Sequence, residues 1–229
     1  MSKISKRAWQ RLFALASAAL SVSAAHSAAS VSSVSSTFDT SLDGWTRVNG
    51  QTADIAYASQ GGNPGGYLRS TDRGPTLGEI IAPAKFLGNW QALDEAGTLS
   101  WSFRLFDAGP NSGTFTTASA WISGPGGTAA FDTGIVPAVK DGWITFNANI
   151  RSADWKVNSG SWLALLQNVT ELKLQVETVL STSLPGEVSG IDNVRISSVP
   201  EPSTWMLFLG GIGIVTGARK YHRSQMKSA

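Results

Sequence analysis

The chain predicts an all-β fold, an antiparallel β-sandwich, on three observations. Hydrophobicity alternates with period two, glycine-rich turns interrupt it at short intervals, and no long 3.6-residue period occurs. The clearest alternation is Leu99-Ser100-Trp101-Ser102-Phe103-Arg104-Leu105, with Leu, Trp, Phe and Leu on one face. Glu171-Leu172-Lys173-Leu174-Gln175-Val176-Glu177 repeats the pattern, so that Glu171 and Glu177 share the solvent side. Both read as half-buried antiparallel strands.

In chain order, residues 1–11 carry Lys3, Lys6, Arg7 and Arg11 and no acid. Residues 12–25 are uncharged and rich in Ala and Leu. Val22-Ser23-Ala24 or Ser27-Ala28-Ala29 then offers a small-residue cleavage triplet. Residues 1–29 therefore read as a secretory signal helix. The Ser-rich residues 30–37 read as a flexible lead-in.

Residues 38–198 form the predicted domain. Further strands are expected at 53–58, 67–70, 118–122, 143–147 and 193–196, with one or two helical turns near 161–168. Gly and Pro clusters at 61–66, 107–111 and 124–127, and Asp141-Gly142, supply the turns. Between residues 30 and 198 there are ten basic and fifteen acidic side chains, a net charge of −5, whereas both chain ends are basic. An acidic domain repels phosphate backbones, so nucleic acid is not an expected partner. The chain has no cysteine, and its two histidines, His26 and His222, lie in the end segments. That removes Cys-His and Ser-His-Asp chemistry and histidine-ligated zinc from the domain. No same-face acid pair stands at the short separation that glycoside hydrolysis needs. No catalytic residue is assigned, and the protein is expected not to be an enzyme.

Two tryptophans stand out of phase with their strands. Trp121 lies between Ala120 and Ile122, and Trp143 precedes Ile144 and Phe146, so both point away from the core. As flat apolar rings they are candidate ligand-binding residues for a sugar face, against the competing role of loop cover. Asp192 falls in phase with Val194 and Ile196. Strict alternation buries it, and a buried carboxylate needs an arginine, backbone N–H groups or a metal.

At the C-terminal end, Val199-Pro200-Glu201-Pro202 precedes an uncharged stretch, 204–218, closed by Arg219, Lys220 and Arg223. As a helix, fifteen residues rise about 22 Å, short of the roughly 30 Å hydrocarbon core. The basic stop should remain cytoplasmic, with residues 224–229 as a cytoplasmic tail. Residues 199–223 resemble the PEP-CTERM sorting tail of Gram-negative bacteria. That resemblance implies export, transit through the inner membrane on a C-terminal transmembrane helix, and processing by an exosortase partner. The protein would then reside at the cell surface or in exopolysaccharide and biofilm matrix.

The domain carries a second resemblance. Phe38-Asp39, Asp43-Gly44-Trp45, Gly65-Gly66-Tyr67-Leu68, Ala82-Pro83-Ala84-Lys85-Phe86-Leu87-Gly88-Asn89 and the closing Ile191-Asp192-Asn193-Val194 occur in an order similar to the laminin B (type IV) domain. This implies a jelly roll related to galactose-binding-like modules. In such modules an aspartate at the closing strand, with oxygens from the opening strand, holds a structural Ca²⁺, which would make Asp39 and Asp192 its ligands. No other cofactor is expected. The function expected is that of an exported, non-enzymatic surface or matrix protein, adhesive or binding polysaccharide. A jelly-roll polysaccharide-active enzyme using carboxylates or tyrosine, and a purely structural protein-binding module, are the alternatives.

Overall fold

The computed structural model describes residues 33–51, 53–110, 114–180 and 186–198. The signal segment, the Pro-Glu-Pro tail and the expected helices at both ends lie outside the described residues. Among the described residues, no helix is long and apolar enough to cross a membrane.

The strands follow the period-two pattern. They run β1 Val34–Ser36, β2 Thr46–Arg47, β3 Asp54–Ala58, β4 Tyr67–Thr71 and β5 Glu79–Ile81. After these come β6 Gly97–Asp107, β7 Thr114–Phe115, β8 Ser119–Gly124, β9 Gly127–Asp132, β10 Ile144–Asn149 and β11 Lys156–Gly160. The chain closes with the helix α1 Trp162–Gln167, then β12 Glu171–Gln175, β13 Val179–Leu180 and β14 Val188–Ser198. Val34–Ser36, within the stretch read as a flexible lead-in, is a strand, because its backbone finds β14 to pair with.

Two six-stranded antiparallel sheets result, in the order β10-β6-β14-β4-β3 with β1 also on β14, and β11-β9-β8-β12-β5-β2. The architecture is a jelly-roll sandwich. Its core is the apolar side of each alternation: Leu68, Leu99, Trp101, Phe103 and Ile191 from the first sheet face Ile80, Ile122, Leu172 and Leu174 from the second. Five of the domain's seven tryptophans, Trp45, Trp90, Trp101, Trp155 and Trp162, are buried. All of these but Trp101 place the indole N–H on an acceptor, as a buried indole requires.

The long strand β14 organises the first sheet. One edge pairs with β6 throughout; the other pairs first with β4 and then with β1. The exchange of partners coincides with a bulge between Asp192 and Arg195, where Asn193 takes a left-handed φ of 49°. A bulge reverses the side-chain phase. Ile191 pairs with Leu68 and Phe103 on the core side, so Asp192, paired with Ser102, faces outward, while Val194 and Ile196 beyond the bulge face inward again. The expectation of Asp192 in phase with Val194 is therefore corrected. Asp192 is fully buried, yet on the outer face of the sheet, beneath the turn that joins β3 to β4.

Candidate functional site

The outer face of the first sheet is the negative of its core side. Ser100, Ser102, Arg104 and Phe106 project from β6, and Tyr67 and Arg69 from β4. Gly190 and Asp192 come from β14, and Thr145 and Asn147 from β10. A groove of about 320 Å³ runs over this face, lined by Ser100, Ser102, Thr145, Asn63, Asn193 and Arg195 among others. Ser102 and Thr145 hydroxyls bond across it at 3.1 Å, and the Asn63 amide donates to Ser102 Oγ at 3.3 Å. Its lining contains no carboxylate and no histidine.

Three rings gather beside the groove. Tyr67 stacks on Phe106 with centroids 5.2 Å apart, and Trp143 stands edge-on to both, at 5.6 and 5.9 Å. They close over Gly190, whose added Cβ would meet Tyr67 at 2.7 Å and Trp143 at 2.9 Å. Only glycine leaves room for this cluster in mid-sheet. Trp143 remains half-buried, and its indole N–H donates to the Gly61 carbonyl at 3.1 Å. Trp121 also points outward, but from the second sheet, where Lys173 sits 5.5 Å over its ring. The two sequence-predicted tryptophans thus occupy opposite faces of the sandwich and do not form one site.

Asp39 and Asp192 meet at the turn of residues 61–66. Asp192 Oδ2 accepts from the Asn63 N–H at 2.6 Å and Oδ1 from the Asn193 N–H at 2.7 Å. The Asn193 amide reaches back to the Asn63 carbonyl. Asp39 Oδ1 lies against Gly65, and the carbonyls of Phe38 and Ala58 lie against Gly66. Burial holds the Asp192 carboxyl above its usual range, the two N–H donors pull it down, and the charge of Asp39 raises it again. No basic side chain pairs with either acid among the described residues, so the two carboxyl groups share an oxygen-rich nook. A hard cation such as Ca²⁺ would require several oxygen donors, and Asp39, Asp192 and neighbouring carbonyls are the groups that could supply them here. The described residues contain no group of three acidic or histidine side chains close enough to share an ion, so carbonyls must complete any such shell.

A second acidic set was not legible in the sequence. Asp72, Glu177 and Glu187 are all buried to within 1% of full burial. β12 ends at Gln175, after which residues 176–179 run buried between the 72–78 segment and the start of β14, which corrects the expected solvent side for Glu177. Gly78 N–H donates to Glu177 at 2.6 Å, and the N–H groups of Thr178 and Val179 donate to Glu187 at 2.6 Å each. Glu177 Oε1 has no partner. Burial, with the charge of Asp72, pushes Glu177 up to about 8; burial, with the charge of Glu177 and against its N–H donors, pushes Glu187 up to about 8.

Fold and face define a jelly-roll β-sandwich domain with a polar, aromatic-edged groove on one sheet. Residues 198–223 match the PEP-CTERM protein-sorting motif, one residue longer than the stretch singled out by sequence, and mark the chain as exported. No curated protein sequence matches the chain. Among solved structures, the CBM22-1 xylan-binding domain from Paenibacillus barcinonensis is similar at 12% identity over 72% of this chain and 93% of its own, with a TM-score of 0.47. A family 11 carbohydrate-binding module of a Clostridium thermocellum cellulosomal cellulase is similar at 14% identity, 72% and 95% coverage, TM-score 0.45. The L4b domain of human laminin alpha-2 gives 11% identity, 69% and 98% coverage, TM-score 0.45.

Proposed function

We propose that this protein is a non-enzymatic polysaccharide-binding component of the cell surface or extracellular matrix, delivered there by its sorting tail. The observation that carries the reading is the Tyr67–Phe106–Trp143 cluster set beside a hydroxyl- and amide-lined groove. Sugars present alternating apolar ring faces and hydroxyl rims. The partly exposed Phe106 and Trp143 rings, backed by the buried Tyr67, complement the first, and the hydroxyls and amides of the groove the second. A catalytic role draws no support from the groove, because its lining holds no carboxylate or histidine to act as a general acid or base. Asp39 and Asp192 serve as holders of a structural Ca²⁺ that ties the 61–66 turn to the closing strand.

Glycan-array binding should drop by about tenfold or more with Trp143→Ala, since covering a large apolar side chain is worth roughly 1.5–3 kcal/mol. Trp121→Ala, on the other sheet, should bind as the parent does. Equal loss in both variants would overturn the placement of the site, and absence of any glycan binding would favour the protein-binding module.

For delivery, the tail passes through the inner membrane and an exosortase cleaves near Val199-Pro200-Glu201-Pro202, leaving Arg219, Lys220 and Arg223 with the removed piece. Intact-mass analysis of protein recovered from cells and medium should give a species ending near residue 200. Retention of Ala229 in the secreted form would remove the processing step.

A further inference from the structure

The groove-bearing sheet concentrates positive charge in a domain that is acidic as a whole. Arg69, Arg104 and Arg195 all project from its outer face, and none has an acidic partner among the described residues. The contrast lies within the same domain: Arg73 pairs with Asp54 at 3.7 Å and Arg151 with Asp154 at 2.8 Å. Of the acids bordering the face, Asp54 is held by Arg73 and Asp43 by Lys85, whereas Asp39 and Asp192 gather at the 61–66 turn without a basic partner among the described residues.

The register fixes the spacing. Arg69 and Arg104 both pair with Gly190, from opposite sides, so their Cα atoms stand two strand spacings apart, roughly 10 Å. Arg195, which lines the groove, pairs with Ser100, four residues along β6 from Arg104 and thus roughly 13 Å farther along the same face. Arg104 is half-buried, with its guanidinium 4.5 Å from the Phe106 ring centroid and its buried Nε lacking any acceptor. That Nε is closed to solvent, so a ligand can meet only the accessible part of the half-buried Arg104 side chain. Guanidinium groups match carboxylate and sulfate with two parallel hydrogen bonds.

We infer that the ligand of this groove is an anionic polysaccharide, whose rings lie along the Trp143 cluster and whose carboxylate or sulfate groups meet Arg69, Arg104 and Arg195. This rests on the polysaccharide-binding reading above and narrows it. The long-range field of the acidic domain opposes a polyanion, so the attraction acts at contact, within about one Debye length of the three arginines.

The test measures binding of the full-length protein, purified in detergent, to polygalacturonate, a sulfated galactan, a neutral xylan, a neutral β-glucan and poly-dT. Polygalacturonate or the sulfated galactan should bind more tightly than either neutral glycan and weaken as salt is raised; which of the two binds identifies the anionic group. Arg69→Gln and Arg104→Gln should each lower that affinity roughly fivefold, a larger loss than either causes for neutral glycans. Arg69 is exposed, so its variant keeps the test valid should the half-buried Arg104 variant fold poorly. Neutral glycans bound as tightly as acidic ones, or arginine variants indistinguishable from the parent, would overturn the anionic ligand while leaving the polysaccharide reading intact. Binding of poly-dT as tight as that of the acidic glycans would overturn it as well. Failure to hold any glycan would remove both.

Discussion

Raising the pH from 5 to 9, values spanning roughly the interval between ordinary and elevated carboxyl pKa, should lower the urea midpoint of this protein, and Glu177→Gln should flatten that decline. In the unfolded chain a glutamate releases its proton near 4.5, whereas the folded sites of Glu177 and Glu187 hold theirs to about 8. Between those values the folded state binds more protons than the unfolded state. Stability contributed by these groups is therefore fully present below the unfolded value and is lost as pH rises through the folded one. The slope approaches about 1.4 kcal/mol per pH unit for each proton, so the loss amounts to several kcal/mol across the window.

Glutamine keeps the shape and the acceptor for the Gly78 N–H while carrying no titrating proton. Its effect should be smallest at acid pH and clearly stabilising at alkaline pH, where the parent must bury a charge beside Asp72. A midpoint that climbs with pH over this range, or a variant as pH-sensitive as the parent, would contradict the burial of the cluster.

Replacing Asp192 by alanine should cost roughly 3 kcal/mol and also damage the groove. The carboxylate is the acceptor for both the Asn63 and the Asn193 N–H groups, and its removal strands two donors under a closed turn. Asn63 then loses the hold that sets its amide against Ser102, and one wall of the groove is freed. Asp192→Asn should fall between parent and alanine, because one of its two positions presents N–H to N–H. Thermal unfolding with calcium and with a chelator separates the two parts. Calcium should raise the parent's Tm by mass action and leave the alanine variant unmoved. A variant that melts at the parental temperature would show the clamp to be dispensable.

Much of the fold was legible because alternation is a local property. The strands around Trp101, Leu172, Tyr67 and Ile55 stand where their period-two patterns put them, and α1 lies within the expected helical stretch. The short strands β2, β5, β7 and β13 carry two or three residues each, too few to show a period. The candidate site was legible only in part. The outward turn of Trp121 and Trp143 followed from phase, but their separation onto opposite sheets depends on which strands pair. Glu187, after a glycine and before a valine, gave no sign of burial.

By itself the sequence determined the sandwich class, the sorting motif, the acidic domain between basic ends and the exclusion of histidine chemistry there. All of these are properties of composition or of short stretches read in order. Tertiary structure alone decided that Asp192 faces outward, that three arginines share one face without partners, and that three carboxyls are shut inside. Each of these turns on pairing between residues far apart in the chain or on a single-residue bulge at Asn193, and period counting along one strand registers neither.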